Sequence, residues 1–380
     1  MLAIITSPGV LVQNGTPSRP IIQALLNVSA AGSAVGVTSN LSKPAWFDDA
    51  FNGSKVKFIK TDARQNGSVI KEIAKQLNID PYNVLVLAGK SEDMQMAKNG
   101  RAILIAAGWS TDRTIRALGI QVSDAAELET LVSLSHGWTG HWWFEGEKPK
   151  YRARALADLS GYGRDVTATQ QNFARKLTAT VKSGGPQLTA LTLLASRSLL
   201  IDGVYEVENL LWGVYPSSQV STGGDDEVLS DFTHRLRTTV SLARFAKRDE
   251  PLFIRHTASE KRSLNRGADR TDPTDQITSM HLNPWYKSRL RGRNVIIVDD
   301  CTTHGLSFGV AAAFLAAGGA SSVTGIALGK FGNTMKYFDI VINSDPFKPI
   351  EADQFESAPC IFFAGENDPR AQQSLITLIP

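Results

Sequence analysis

Residues 294–307 read NVIIVDDCTTHGLS and run without interruption into FGVAAAFLAAGGA at 308–320. Val295 to Val298 have the length and β-branching of a buried central strand. Asp299 and Asp300 emerge at its C-terminal end, and a loop of hydroxyls containing Gly305 then opens an alanine-rich helix. In open α/β sheets ligands gather at the carboxyl ends of the strands, and the free N–H groups of a helix N-terminus accept an anion. Thr302, Thr303, Ser307 and the loop amides are therefore expected to cradle a phosphate, with Gly305 letting the backbone approach. Two adjacent carboxylates suit the vicinal hydroxyls of a ribose, directly or through a hard cation such as Mg²⁺. On these residues alone the stretch is a receptacle for a sugar phosphate.

The rest of the chain supplies strands and helices around it. LAIIT, AVGVTSN, VKFIK, NVLVLAG and AILIAA read as strands over the first 135 residues, with SVIKEIAKQLN as a helix between them and SDAAELETLVSL as a closing helix. Such alternation predicts a doubly wound parallel sheet. Residues 136–150 concentrate Trp138, Trp142 and Trp143 without periodicity and read as a tryptophan-rich linker, or as a stacking platform for a base or single strand. From 151 to 380 the pattern predicts helices at ALADL, QQNFARKLTATV and LTALTLLASRSLLIDGV. Strands of a second parallel sheet are expected at ENLLWGVYP, EPLFIRH, NVIIVDD, SSVTGIALG and YFDIVIN. The polar stretch from His256 to Pro284 exceeds an ordinary connection and reads as either a functional lid or a disordered segment. The fold class is α/β, with two doubly wound parallel-sheet domains at 1–135 and 151–380.

Of the 380 residues, 42% are hydrophobic and 20% charged, enough to bury a substantial core in each domain. Forty basic against 37 acidic residues give a net charge of +3, too balanced for a duplex-DNA or membrane footprint. Two cysteines supply neither a disulfide framework nor a thiolate metal cluster. With no basic leader ahead of the first apolar run, interrupted at Pro8 and Gly9, the expected location is the cytoplasm.

The order hhhh-D-D-x-x-T-x-G-x-[ST] followed by a helix resembles the 5-phosphoribosyl 1-pyrophosphate (PRPP) signature of type I phosphoribosyltransferases, and the layout from Leu210 to Gly329 resembles their competence-associated (ComF-like) branch. The resemblance implies that Asp299 and Asp300 are the catalytic acidic pair on the ribose and its Mg²⁺, and that Cys301, Thr302, Thr303, His304, Gly305 and Ser307 form the 5′-phosphate loop. His304 departs from the pattern, standing where most members carry threonine; protonated, it would favour a dianion. Ser217 and Ser218 in GVYPSS correspond to the short pyrophosphate loop, and Arg255, Lys261 and Arg262 are its candidate cations. Lys330-Phe331 flanks or stacks on an acceptor base, or has an ordinary core or surface role. Thr303 stands where purine enzymes of the family often carry a carboxylate.

The N-terminal half resembles haloacid dehalogenase-like (HAD) phosphohydrolases at TSPGV, VGVTSN and GKSEDMQMAKNG. Such enzymes need a nucleophilic aspartate, a second aspartate two residues on, and carboxylates for Mg²⁺. Here Thr6 and Pro8 occupy the first two places and Lys90 replaces a metal-binding acid, leaving Asp93. The domain is therefore expected to be phosphatase-inactive, with Thr38, Ser39 and Lys90 still suited to holding a phosphate. No cap domain is evident, so a homo-oligomer or an operon-encoded partner is expected to complete substrate access. Fusions resembling this one occur in bacterial stress-response and defence clusters. The expected function is transfer of a phosphoribosyl group to an unknown nitrogen acceptor; the alternative is a non-catalytic PRPP or nucleotide sensor acting through a protein partner.

Overall fold

Short β-branched runs in the first third of the chain become the strands of one sheet. The computed structural model describes residues 1–138, 140–161, 166–185, 187–220, 227–241, 250–259 and 269–378. The chain divides into two units, the first comprising Met1–Gly140, Thr189–Glu206 and the described part of His234–Phe245.

In the first unit the strands are β1 (Ala3–Thr6), the short hairpin β2 (Val12–Gln13) and β3 (Thr16–Pro17), then β4 (Ala34–Ser39), β5 (Lys57–Lys60), β6 (Val84–Ala88), β7 (Ile103–Ala107) and β8 (Ile120–Val122). Six of them form an entirely parallel sheet in the order β5-β4-β1-β6-β7-β8. Every residue of β1, β6 and β7 is buried, as expected of strands covered on both faces. The expected helices form at Ser68–Leu77 and Ala125–Gly137. The unit also takes the C-terminal part of the helix Gln187–Ile201, from Thr189 onward. There the buried Arg197 donates to Ser135 Oγ at 2.7 Å and Asn83 Oδ1 at 2.7 Å, and Trp138 Nε1 donates to Ser198 Oγ at 3.0 Å.

The second unit comprises His141–Leu188, Val207–Thr233 and Ala246–Pro380, in its described residues. Its strands are β9 (Phe144–Lys148), β10 (Tyr151–Asp158), β11 (Leu210–Val214), β12 (Phe253–Arg255), β13 (Met280–Leu282), β14 (Asn294–Thr302), β15 (Ser322–Lys330), β16 (Met335–Tyr337), β17 (Ile340–Ile342), β18 (Phe355–Ser357), β19 (Ile361–Phe363) and β20 (Gly365–Asn367). The main sheet runs β11-β14-β15-β10-β9-β20. β11, β14, β15 and β10 are parallel, whereas β9 pairs antiparallel with β10 and with β20. The sheet is thus mixed rather than wholly parallel, because only Pro149 and Lys150 join β9 to β10 and so short a link permits only a hairpin.

Three further expectations are corrected. ALADL lies on β10 as far as Asp158, not on a helix: Ala155, Leu156 and Ala157 are all buried, as in a strand covered on both faces. EPLFIRH and YFDIVIN do not join the main sheet; β12 pairs with β13, β16 with β19 and β17 with β18. The second half of the expected lid is ordered core, since helix Thr274–Thr278 and β13 bury Ile277, Met280 and Leu282. Within the tryptophan-rich segment, Phe144–Lys148 is a sheet strand, and Trp138 and Trp142 are buried, so neither offers a free face for stacking. Among the described residues no helix is long and apolar enough to cross a membrane.

Candidate functional site

Three neighbouring strands of the second unit, β11, β14 and β15, end side by side, and each delivers a loop to the same edge. The Tyr215 N–H donates to Val298 O at 2.9 Å, which lays the loop Tyr215–Ser218 beside Asp299. On the other side the Phe331 N–H donates to Thr302 O at 2.9 Å. β14 alternates its side chains, so Asp299 follows Val295 and Ile297 onto the face covered by helix Leu306–Ala317.

Asp299 is held from both oxygens: Oδ2 accepts from Ser307 Oγ at 2.7 Å and Oδ1 from the Asp300 N–H at 2.9 Å. Burial, followed by the Asp300 charge, pushes its carboxyl well above the ordinary range. Asp300 Oδ1 accepts from the Cys301 N–H at 2.5 Å. Burial and the two carboxylates push the Cys301 thiol far up, so it is no nucleophile at neutral pH. Lys182, on helix Ala168–Ser183, opposes them with its charge.

The loop that follows is closed by Thr302, whose Oγ1 accepts from the Gly305 N–H at 3.0 Å. Gly305 takes φ 82° and starts the helix Leu306–Ala317, whose buried apolar residues fix the N-terminus at the strand ends. Lys330, the last residue of β15, is 0% exposed. Its Nζ lies 3.1 Å from Thr303 O, 3.2 Å from Phe331 O, 2.9 Å from Gly332 O and 2.5 Å from Thr334 O. The Lys336 N–H donates to His304 O at 3.0 Å. Burial, then the charges of Lys336, Lys330 and Arg270, hold the His304 imidazole below its usual range. Three cations therefore surround the loop, giving a field suited to an anion.

The residues singled out from sequence thus fall into three groups. Asp299, Asp300, Cys301, Thr302, Thr303, His304, Gly305 and Ser307 lie together, although the Ser307 proton is spent on Asp299. Ser217 is exposed and Ser218 half-buried on the adjacent loop, where Ser218 O accepts from the Ser259 N–H at 2.9 Å. Arg255 sits beneath this loop, buried, with Nε donating to Ser217 O at 2.5 Å and Nη1 to Ser279 Oγ at 2.5 Å, so it braces the loop rather than projecting from it. Lys261 and Arg262 lie outside the described residues. Arg270, Lys336 and Lys182 carried no local signal in the sequence, since only the fold brings these scattered cations near residues 301–304. The Asp pair fits Mg²⁺ in the mode where one or two protein carboxylates share the ion with water and substrate oxygens. Among the described residues no group of three or more His, Cys, Asp or Glu side chains could hold a metal ion by itself.

In the first unit the corresponding strand ends are closed on themselves. Asp93, fully buried, accepts through Oδ2 from Ser7 Oγ at 2.9 Å, Gly89 N at 3.0 Å and Lys90 N at 3.1 Å, while Arg64 Nη2 lies 3.1 Å from Oδ1. Burial raises its carboxyl, with Arg64 opposing. Thr6 Oγ1 donates to Leu87 O at 2.9 Å. A Cβ placed on Gly9 would lie 3.7 Å from Lys90 Nζ, so this ammonium overlies the loop after β1. Thr38 Oγ1 is buried without a hydrogen-bond partner among the described residues, and Ser39 Oγ accepts from the Leu41 N–H at 3.0 Å.

No family model and no curated protein matches the chain. Among solved structures, one similar chain is assigned to the HAD family of hydrolases, from Streptomyces avermitilis MA-4680. It shares 15% identity over 30% of this chain and 70% of its own, at a TM-score of 0.25. A second, assigned as a phosphoglycolate phosphatase from Lactobacillus delbrueckii subsp. bulgaricus, shares 20% identity over 30% of this chain and 53% of its own, at a TM-score of 0.27. The match thus spans about half of the second relative, and similarity at this level carries no argument about activity.

Proposed function

We propose that the second unit binds PRPP and transfers its 5-phosphoribosyl group to a nitrogen acceptor. The observation that carries this reading is the convergence at one sheet edge of the Asp299–Asp300 pair, the Thr302-closed loop at a helix N-terminus, and the cations Lys330, Lys336 and Arg270. In this reading the loop amides and the helix N-terminus anchor the 5′-phosphate. The acidic pair orients the ribose hydroxyls and faces the positive charge that develops at the anomeric carbon as pyrophosphate departs. Mg²⁺ would be held by Asp299 and Asp300 with substrate oxygens and would supply charge neutralisation of the pyrophosphate. The hydroxyl and amide groups of Tyr215–Ser218, braced by Arg255, lie where that leaving group would be received.

A receptor without turnover is the second reading. It is favoured by the fact that both Asp299 oxygens already have protein donors, which leaves less capacity for the ribose. Titration of PRPP with Mg²⁺ into the protein and its Asp299→Asn, Asp300→Asn variant, with pyrophosphate release measured over a panel of bases and amines, separates the two. Binding abolished in the variant together with release supports transfer, binding without release supports the receptor, and no binding removes both.

For the first unit the reading is a HAD-like phosphohydrolase fold without hydrolysis. It is supported by Thr6 and Pro8 at the nucleophile and acid positions, and by an Asp93 whose oxygens are engaged by Arg64, Ser7 and two backbone amides.

A further inference from the structure

We propose that Lys330 is the positioning residue of the anion loop: its buried ammonium draws the Thr303 carbonyl inward and so aims the following amide, His304 N–H, at the phosphate. The inference rests on the sugar-phosphate reading of this loop.

In a trans peptide the carbonyl and the N–H of the next residue point in opposite directions. With Lys330 Nζ 3.1 Å from Thr303 O, the His304 N–H is directed away from Lys330, and it has no protein acceptor among the described residues. A lysine is a costly core residue unless its charge is compensated. Here four carbonyls converge on three N–H donors, so the ammonium is compensated and the carbonyls are kept from repelling one another. These carbonyls come from the loops after β14 and β15. The same junction extends to β10, because the Leu159 N–H donates to Lys330 O at 2.8 Å and the Gly332 N–H to Ser160 Oγ at 2.7 Å. The ring of Phe144 closes one side, 5.4 Å from Nζ. The ammonium thus ties together the loops after two adjacent strands, while the Lys330 carbonyl adds the end of β10, and the orientation of a peptide in the loop between β14 and its helix is fixed. A neutral side chain of similar length would fill the space but leave the Thr303–His304 peptide free to turn.

The charge also sets a pH window. Burial lowers the Lys330 ammonium to about 8, with Asp158 at the end of β10 opposing. An anion bound at the loop would raise it. Affinity is then full below the free value and falls as pH rises through the bound value. Of the other groups beside the loop, His304 is held below its usual range, and Lys336 and Arg270 bear on it as cations.

The test is calorimetric titration of ribose 5-phosphate into the protein, Lys330→Arg and Lys330→Met between pH 7 and about pH 9.5. Wild type is expected to hold a level affinity up to about pH 8 and to lose about tenfold by pH 9.5, the loss set by a lysine titrating near 8. Lys330→Arg should stay level, since a guanidinium does not titrate there. Lys330→Met should bind weakly throughout. No wild-type binding at any pH would remove the sugar-phosphate reading itself. Wild-type binding that is level to pH 9.5, or that falls identically in Lys330→Arg, would overturn the role of Lys330 alone. Should Lys330→Met fail to fold, the comparison of wild type with Lys330→Arg still decides.

Discussion

Gly305 combines φ 82° with a site where an added Cβ would come within 2.3 Å of Met335 Cε. The methionine end can move but the backbone angle cannot, so Gly305→Ala is expected to destabilise by about 1–3 kcal/mol, read by chemical denaturation. Thr302→Val, which leaves the Gly305 N–H without its 3.0 Å acceptor in a buried turn, should cost about 1–2 kcal/mol, and Thr302→Ser should restore most of it. His304 provides a titration on the acid side. Its imidazole is held below the usual range in the free protein and would be raised by a bound dianion, so ribose 5-phosphate affinity should grow as pH falls below about 7, until the phosphate takes up its own proton at about 6. His304→Gln should flatten that rise; an unchanged profile would show that the imbalance lies elsewhere. At this scale the sequence is legible where chemistry and order coincide, as in Asp299-Asp300 and Thr302 to Gly305. It is silent about Arg270, Lys336 and the burial of Lys330, because nothing local distinguishes a core lysine or a loop-facing cation from a solvated one.

Elements transmit to the site through packing. Gly325 on β15 faces Phe308 of the helix Leu306–Ala317, and a Cβ there would approach Phe308 Cδ1 to 2.3 Å. Gly325→Ala should push that helix outward, costing about 1–3 kcal/mol, and should weaken ribose 5-phosphate binding although the residue touches no ligand. The parallel strands β11, β14 and β15 were readable from β-branched runs of the right length. The ALADL stretch was not, since alanine carries helix propensity and only the pairing of Ala153 with Gly325 and of Ala155 with Ala327 decides for a strand. Likewise the polar composition of 257–283 hides Ile277, Met280 and Leu282, three isolated apolar residues that become core once helix Thr274–Thr278 and β13 form.

For the whole molecule, p-nitrophenyl phosphate should not be hydrolysed in the presence of Mg²⁺, because on the proposed HAD-like reading of the first unit Thr6, Pro8 and Lys90 stand where nucleophile, acid and metal ligand would be needed. Turnover abolished by Asp93→Asn would refute that reading. The fold class was legible from the alternation of strand and helix periods. The membership of the first unit was not, because the apolar helix Gln187–Ile201 shows no sign in its own sequence of which sheet it covers. A fragment of residues 1–140 therefore lacks the Arg197 that binds Ser135 and Asn83, and is expected to melt without a cooperative transition, as followed by calorimetry.

The clasp of Arg197 also has a place in time. Ser135 leaves the ribosome 62 residues ahead of the guanidinium that will hold it, and Asn83 114 residues ahead. At about 5–20 residues per second the shorter wait alone lasts about 3–12 s. The Thr238 hydroxyl, which accepts from the Gly119 N–H at 3.0 Å, arrives later still. The part of the chain that is made first is thus kept unfinished by the order of synthesis until the segment that carries Thr238 has been delivered.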